Sequence, residues 1–232
     1  MLPLHDNVPS RHRPWVVYAL IATNVLVFFY TLLLGPAGAR QFVSALGVTP
    51  ADFSGGVPAP RDYVTLFTAL FLHGGWLHLI VNLWYLWIFG DNVEDRMGHA
   101  RFLAFYLLGG VAASFAHILL NWGSPVPSIG ASGSIAAVLG AYLLLFPRAR
   151  IVTLVPLIFI FAVQLPAVVV LGAWFVLQLW SGLGTLAFGA ASGIAYWAHI
   201  GGFVFGLLAV PFFVQRRRRL PLARPRESWG PT

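Results

Sequence analysis

Thirty consecutive residues, Ile151 to Trp180, carry no charge, and several other runs in the chain are almost as apolar. Lipid offers no partner to a backbone N–H or C=O, so runs of this kind cross a bilayer as helices or not at all. About 20 helical residues cover the roughly 30 Å of hydrocarbon. The 232 residues are 59% hydrophobic and 9% charged, with a mean hydropathy of +0.80, which places the chain as a whole in a membrane.

Counting such runs predicts an all-α bundle of six transmembrane helices, over about 15–34, 75–89, 101–120, 132–146, 164–181 and 194–214. His73-Gly-Gly75 interrupts an apolar stretch and splits a short surface helix, Val64 to Leu72, from the second span. Gly35 to Asp62 reads as a linker. The uncharged run at 151–180 contains Pro156 and Pro166 and accommodates either one span with an interfacial lead-in or two short ones. Arginine decides between them, because short cytoplasmic loops collect basic residues. With one span there, twelve of the fourteen arginines fall on one side and only Arg40 and Arg61 on the other. Six spans are therefore expected, forming a domain over 15–214. Both termini would be cytoplasmic, as a disordered N-terminal tail over 1–14 and a basic C-terminal tail over 215–232.

The chain has no cysteine, which excludes disulfides, thiolate metal sites and a cysteine nucleophile. An isoelectric point near 10.6 could suggest nucleic acid. Here the basic residues are spread between apolar runs, so membrane topology accounts for them and no nucleic-acid partner is expected.

Two polar side chains lie where lipid should be. Ser132 follows Gly130-Ala131 and precedes Gly133, where the external loop enters the fourth span, and His199 lies near the external start of the sixth. Burying a hydroxyl and an imidazole in hydrocarbon is costly unless they pair or react. Ser132, Ala136 and Gly140 recur every four residues, as do Ala198, Gly202 and Gly206. Such stripes let helix backbones approach closely, so the fourth and sixth spans are expected to pack and bring Ser132 to His199. A serine hydroxyl becomes nucleophilic when an adjacent base takes its proton, and neutral imidazole suits that task. All seven acids fall in tails or loops on this reading, so a Ser-His dyad is the serine mechanism available. His78 and Asn82 are four apart on one helical face and could donate to a developing oxyanion together with the Ser132 amide. A zinc site is disfavoured, since His73 and His78 are five apart and no buried carboxylate or thiolate completes a set. No cofactor or metal is expected. His117 reads as a packing residue, and His5, His12 and His99 as solvent residues.

These residues carry a resemblance. His73-x4-His78-x3-Asn82, Gly130-x-Ser132-Gly133 and Ala198-His199-x2-Gly202-x3-Gly206, spread over about 68–206, make the chain similar to the rhomboid intramembrane serine proteases. The resemblance implies a six-helix bundle that cleaves transmembrane segments of other proteins. Ser132 would be its nucleophile, His199 its base, and His78 and Asn82 its oxyanion donors, with His73, Gly130, Gly133 and Gly202 in support. It also implies a gating role for the fifth span, about 167–180, and an ion pair anchoring a Glu-x-Arg turn at Glu94-Asp95-Arg96. Many members carry an aromatic four residues after the serine, against which the histidine packs. This chain has Ala136, so His199 is expected to be held less firmly. Where a Trp-Arg pair is common before the first histidine of the motif, Tyr63-Val64-Thr65 stands instead.

The expected partners are transmembrane protein substrates and the bilayer. Two other classes fit the polar residues: a small transporter with its path in the outer leaflet, and a catalytically silent rhomboid-like chaperone of membrane proteins. Abundant Ala, Gly and Arg without lysine suggest a prokaryotic plasma membrane.

Overall fold

A computed structural model of the chain describes residues 2–156, 160–188 and 193–215. Helix α1, Trp15–Leu33, runs into α2, Gly35–Leu46, through Gly35 at φ +66°. The expected linker is thus largely helical, with a 3-10 turn at Pro50–Phe53 and α3 at Pro60–Thr68. Asp62 starts α3 by accepting the Ala59 N–H at 2.8 Å. After a second 3-10 turn, Ala69–Phe71, the chain breaks at 72–75 and turns by 81° into α4, Trp76–Met97. Helices α5, His99–Leu120, and α6, Ser132–Leu145, follow; α7, Ala167–Phe188, and α8, Tyr196–Phe213, complete the set.

Helices α1, α5, α7 and α8 are each long and apolar enough to cross a membrane, and the bent α3–α4 pair makes a fifth candidate. Helix α6 is apolar but has only 14 residues, about 21 Å of rise. It is the most buried of the helices, with Gly133 through Tyr142 all buried. Large exposed apolar side chains, among them Leu26, Trp76, Trp87, Leu177, Trp180 and Phe212, are instead spread over the surrounding helices.

Among its described residues the stretch 151–180 holds one helix. Its lead-in is a β-hairpin, β2 at Arg150–Pro156 and β3 at Ile160–Pro166, built from β-branched residues such as Ile151, Val152, Thr153 and Val163. Its partner corrects another expectation: residues 2–6, placed by the sequence in a disordered tail, form β1, Leu2–Asp6, antiparallel to β2. The rest of the segment is tied down too, because Ser10 bonds Asp91 and the Arg11 and His12 amides donate to Asp95. The C-terminal tail from 216 onward lies outside the described residues.

The acids are less peripheral than a loop assignment allows. Asp91, Glu94 and Asp95 belong to the last turns of α4. Glu94 is 1% exposed and accepts the Val16 and Val17 N–H groups, which have no acceptor within their own helix at the start of α1. It also bonds His99 Nδ1. The turn is therefore anchored by Glu94 as a cap on α1 and a partner of His99, while Arg96 lies over the Phe146 ring.

Candidate active site

Close backbone contact positions the site. A Cβ on Gly202 would fall 2.1 Å from the Gly133 carbonyl oxygen, and one on Gly206 would fall 2.1 Å from that of Ala137. In the other direction, a Cβ on Gly140 would meet the Phe203 carbonyl at 2.2 Å. Helices α6 and α8 thus touch main chain to main chain along the glycine and alanine stripes. Helix α5 seals their flank, with Gly109 against Ala137 and Gly201 of α8 against Ala116.

At the mouth of this contact Ser132 is the first residue of α6 and His199 lies in the first turn of α8. Ser132 Oγ and His199 Nε2 are 2.8 Å apart, hydrogen-bond distance for a hydroxyl donating to an imidazole. The loop delivering Ser132 is held by exchanged bonds between Val48 and Ser128, and by the Gly130 N–H donating to the Ala69 carbonyl.

Gly130 has φ +129°, a conformation that side-chain-bearing residues rarely adopt. A Cβ there would lie 2.7 Å from His78 Nε2 and 3.6 Å from Ser132 Oγ. His78 therefore faces the serine across the glycine. Its other nitrogen, Nδ1, accepts a long 3.4 Å bond from the Gly74 amide, which leaves the proton on Nε2. Asn82 lies one turn further along α4, buried, with its amide donating to the His78 carbonyl at 2.8 Å. The structure thus brings Ser132, His199 and His78 together, while Asn82 is bonded within its own helix. His73 is buried with neither ring nitrogen bonded, edge-on to His78 at 5.0 Å between centroids. His117 bonds Asn121, one turn on. Beside Ser132 is a cavity of about 20 Å³, roughly one water, lined by Leu70, Ser114, Ser128, Gly130 and Ala198 among others.

The expectation of a loosely held His199 is corrected. Ala136 offers it no ring, yet Trp174 of α7 lies 6.0 Å away at 33° between planes, and Gln178 Oε1 lies 2.8 Å from Nδ1. Sequence reasoning missed both. The available clue was Trp174-x3-Gln178 itself, the one side-chain amide of α7, one turn from an indole. No group of three or more metal-ligating side chains occurs among the described residues.

A helical membrane protein with a serine hydroxyl against an imidazole at a helix junction belongs to a narrow class, and comparison with known proteins gives that class a name. The Rhomboid domain model matches residues 60–216. The chain belongs to the rhomboid family. It is 35% identical over 131 residues to Rhomboid protease GluP of Bacillus subtilis, covering 56% of this chain and 24% of that protein. To Rhomboid protein 1, mitochondrial, of Saccharomyces cerevisiae it is 32% identical over 240 residues, covering 95% and 62%. To the human Presenilin-associated rhomboid-like protein, mitochondrial, it is 29% identical over 211 residues, covering 89% and 50%. The chain thus spans less than two thirds of each of these relatives. The matches to the yeast and human proteins, which cover 95% and 89% of this chain and are with proteins named as mitochondrial, overturn the expectation of a prokaryotic plasma membrane. Alanine, glycine and arginine usage reports on the coding genome and carries no address.

Proposed function

We propose that the protein is an intramembrane serine endopeptidase that hydrolyses peptide bonds in or near transmembrane segments of other membrane proteins. The observation that carries this reading is the 2.8 Å contact between Ser132 Oγ and His199 Nε2. In this mechanism His199 Nε2 takes the hydroxyl proton as Oγ attacks the scissile carbonyl, and returns it to the leaving amine. Water then hydrolyses the acyl-serine with His199 again as base; the cavity beside Ser132 is sized for that water.

The tetrahedral oxyanion would be met by the Ser132 N–H and His78 Nε2–H. As first residue of α6, Ser132 has an amide with no acceptor in its own helix, at the end where the helix dipole favours negative charge. Asn82 carries a second amide hydrogen beyond the one given to the His78 carbonyl. Loss of one such donor typically costs about 2.7 to 4 kcal/mol of transition-state stabilisation.

The topology we infer has six crossings: α1, the bent α3–α4 pair, α5, α6, α7 and α8. The shortness of α6 fits a span that starts below the surface in a hydrated recess. Both ends of the chain then share the arginine-rich side, opposite the site. A transporter is less well supported, because glycine–carbonyl contacts close the α6–α8 seam beneath Ser132.

The test is covalent. A fluorophosphonate should label Ser132 of the purified protein, and labelling should vanish in Ser132→Ala and in His199→Ala. Labelling that survives His199→Ala would remove the base from the mechanism.

A further inference from the structure

His199 is bonded on both sides of its ring. Nε2 meets Ser132 Oγ, and Nδ1 meets Gln178 Oε1, each at 2.8 Å. Gln178 and Trp174 are four residues apart and so share a face of α7, and Trp174 stands beside the imidazole and beside Phe203 of the following turn of α8. Among the described residues no carboxylate is paired with His199. The other titratable groups acting on the ring are His78 from α4 and His117 from α5, both imidazoles.

The partner of Nδ1 decides what Nε2 can do. Neutral imidazole carries one proton, so Nε2 can accept the serine proton only when Nδ1 holds its own. An amide oxygen at Nδ1 enforces that tautomer, whereas an amide nitrogen there would turn Nε2 into a donor and disable it as a base. In this structure the oxygen faces the ring. An amide in an apolar span is costly unless bonded, and Gln178 meets that cost through His199.

We propose that Gln178 is the positioning residue of the site, fixing the Nδ1–H tautomer and the plane of His199 while Trp174 braces the ring. The proposal rests on Ser132 and His199 acting as nucleophile and base. Gln178 occupies the place a carboxylate takes in a Ser-His-Asp triad. Being neutral, it orients the imidazole without adding a full charge to stabilise the imidazolium.

Gln178→Leu keeps the volume and removes the acceptor, while Gln178→Glu keeps the length and the oxygen. The readout is phosphonylation of Ser132 by a fluorophosphonate, resolved into maximal rate and half-saturating concentration across pH, with a thermal melt of each variant. The leucine variant is expected to label about tenfold more slowly at saturation, the loss of about one hydrogen bond, with unchanged half-saturation and melting. The glutamate variant is expected to recover the rate and to move the acid limb of the profile to higher pH, because an adjacent carboxylate favours the imidazolium. Wild-type rates in the leucine variant overturn the proposal. So does a glutamate variant whose profile stays in place, which also decides the matter if the leucine variant fails to fold. Absence of labelling at Ser132 in the unmodified protein would instead overturn the protease reading, and this proposal with it.

Discussion

Gly202 and Gly133 are in contact through main chain alone, with no room for a methyl group between the α8 glycine and the α6 carbonyl. Contact at this range sets the spacing of the helices by backbone atoms rather than by side chains, and so fixes the starting points of Ser132 and His199. Gly202→Ala is expected to force the seam apart and lower stability by about 1 to 3 kcal/mol, the usual range for overpacking. Labelling of Ser132 should fall with it. Gly172→Ala is the control, since a Cβ there meets nothing within 4 Å in the interior of α7. It should be neutral or stabilising by up to about 1 kcal/mol. Unfolding titrations of both variants check the pair.

Gly130→Ala should separate activity from folding. The new methyl would occupy the space between His78 Nε2 and Ser132 Oγ at a φ that alanine resists. Backbone strain of this kind costs about 1 to 3 kcal/mol. Saturating phosphonylation is expected to fall at least tenfold, a larger loss than the accompanying drop in melting temperature explains. A variant that labels at the wild-type rate would show that the space is not part of the reacting volume.

Removing the Glu94 carboxylate should act on stability from the far end of α4. Glu94→Ala leaves the Val16 and Val17 N–H groups and the His99 ring without their acceptor, at a cost of about 1 to 3 kcal/mol for an unsatisfied buried donor. Glu94 is 16 residues from His78, about 24 Å along the helix. Below its lowered melting temperature the variant should label Ser132 at the wild-type rate. Equal melting temperatures for variant and wild type would contradict the capping role.

The attachment of β1 should weaken as pH rises. Burial pushes the Asp6 carboxyl above the ordinary value of 3.8, against bonds from Tyr142, the Val8 amide and Asn92 that favour the charged form. Well below 3.8 the group is protonated in docked and undocked segments alike. As pH rises, the undocked segment ionises first and the docked one follows higher, so docking loses stability across that window. Hydrogen exchange of the β1 amides should therefore quicken, beyond its intrinsic pH dependence, as pH climbs from below 3.8. Asp6→Asn, which cannot ionise, should flatten that additional response.

The long apolar helices and the central contact were legible because lipid simplifies the code, whereas α2 lay in a stretch that reads as a linker. An apolar run that crosses lipid must be helical, and a hydroxyl at Ser132 or an imidazole at His199 stands out against it. The small-residue stripes could be read for the same reason, since a spacing of four has one structural meaning on a helix. What stayed hidden depended on partners remote in sequence. Leu2–Asp6 becomes a strand only beside residues 151–154, and a short apolar run does not tell strand from helix by periodicity. Glu94 looks like half of a local ion pair until Val16 and Val17 arrive from 78 and 77 residues earlier. Gln178 has no spacing partner in its own segment beyond Trp174, and its meaning came only with the distance to Nδ1.

The three-stranded sheet has a consequence for the order in which the molecule can assemble. Its outer member, Leu2–Asp6, is synthesised roughly 145 residues before the hairpin that receives it, and sequence separation on this scale makes a contact slow to form. The first strand must wait through the making of α1 to α6. Its docking is thus a late closing step, a latch that shuts only after the helices bearing Ser132 and His78 have been laid down.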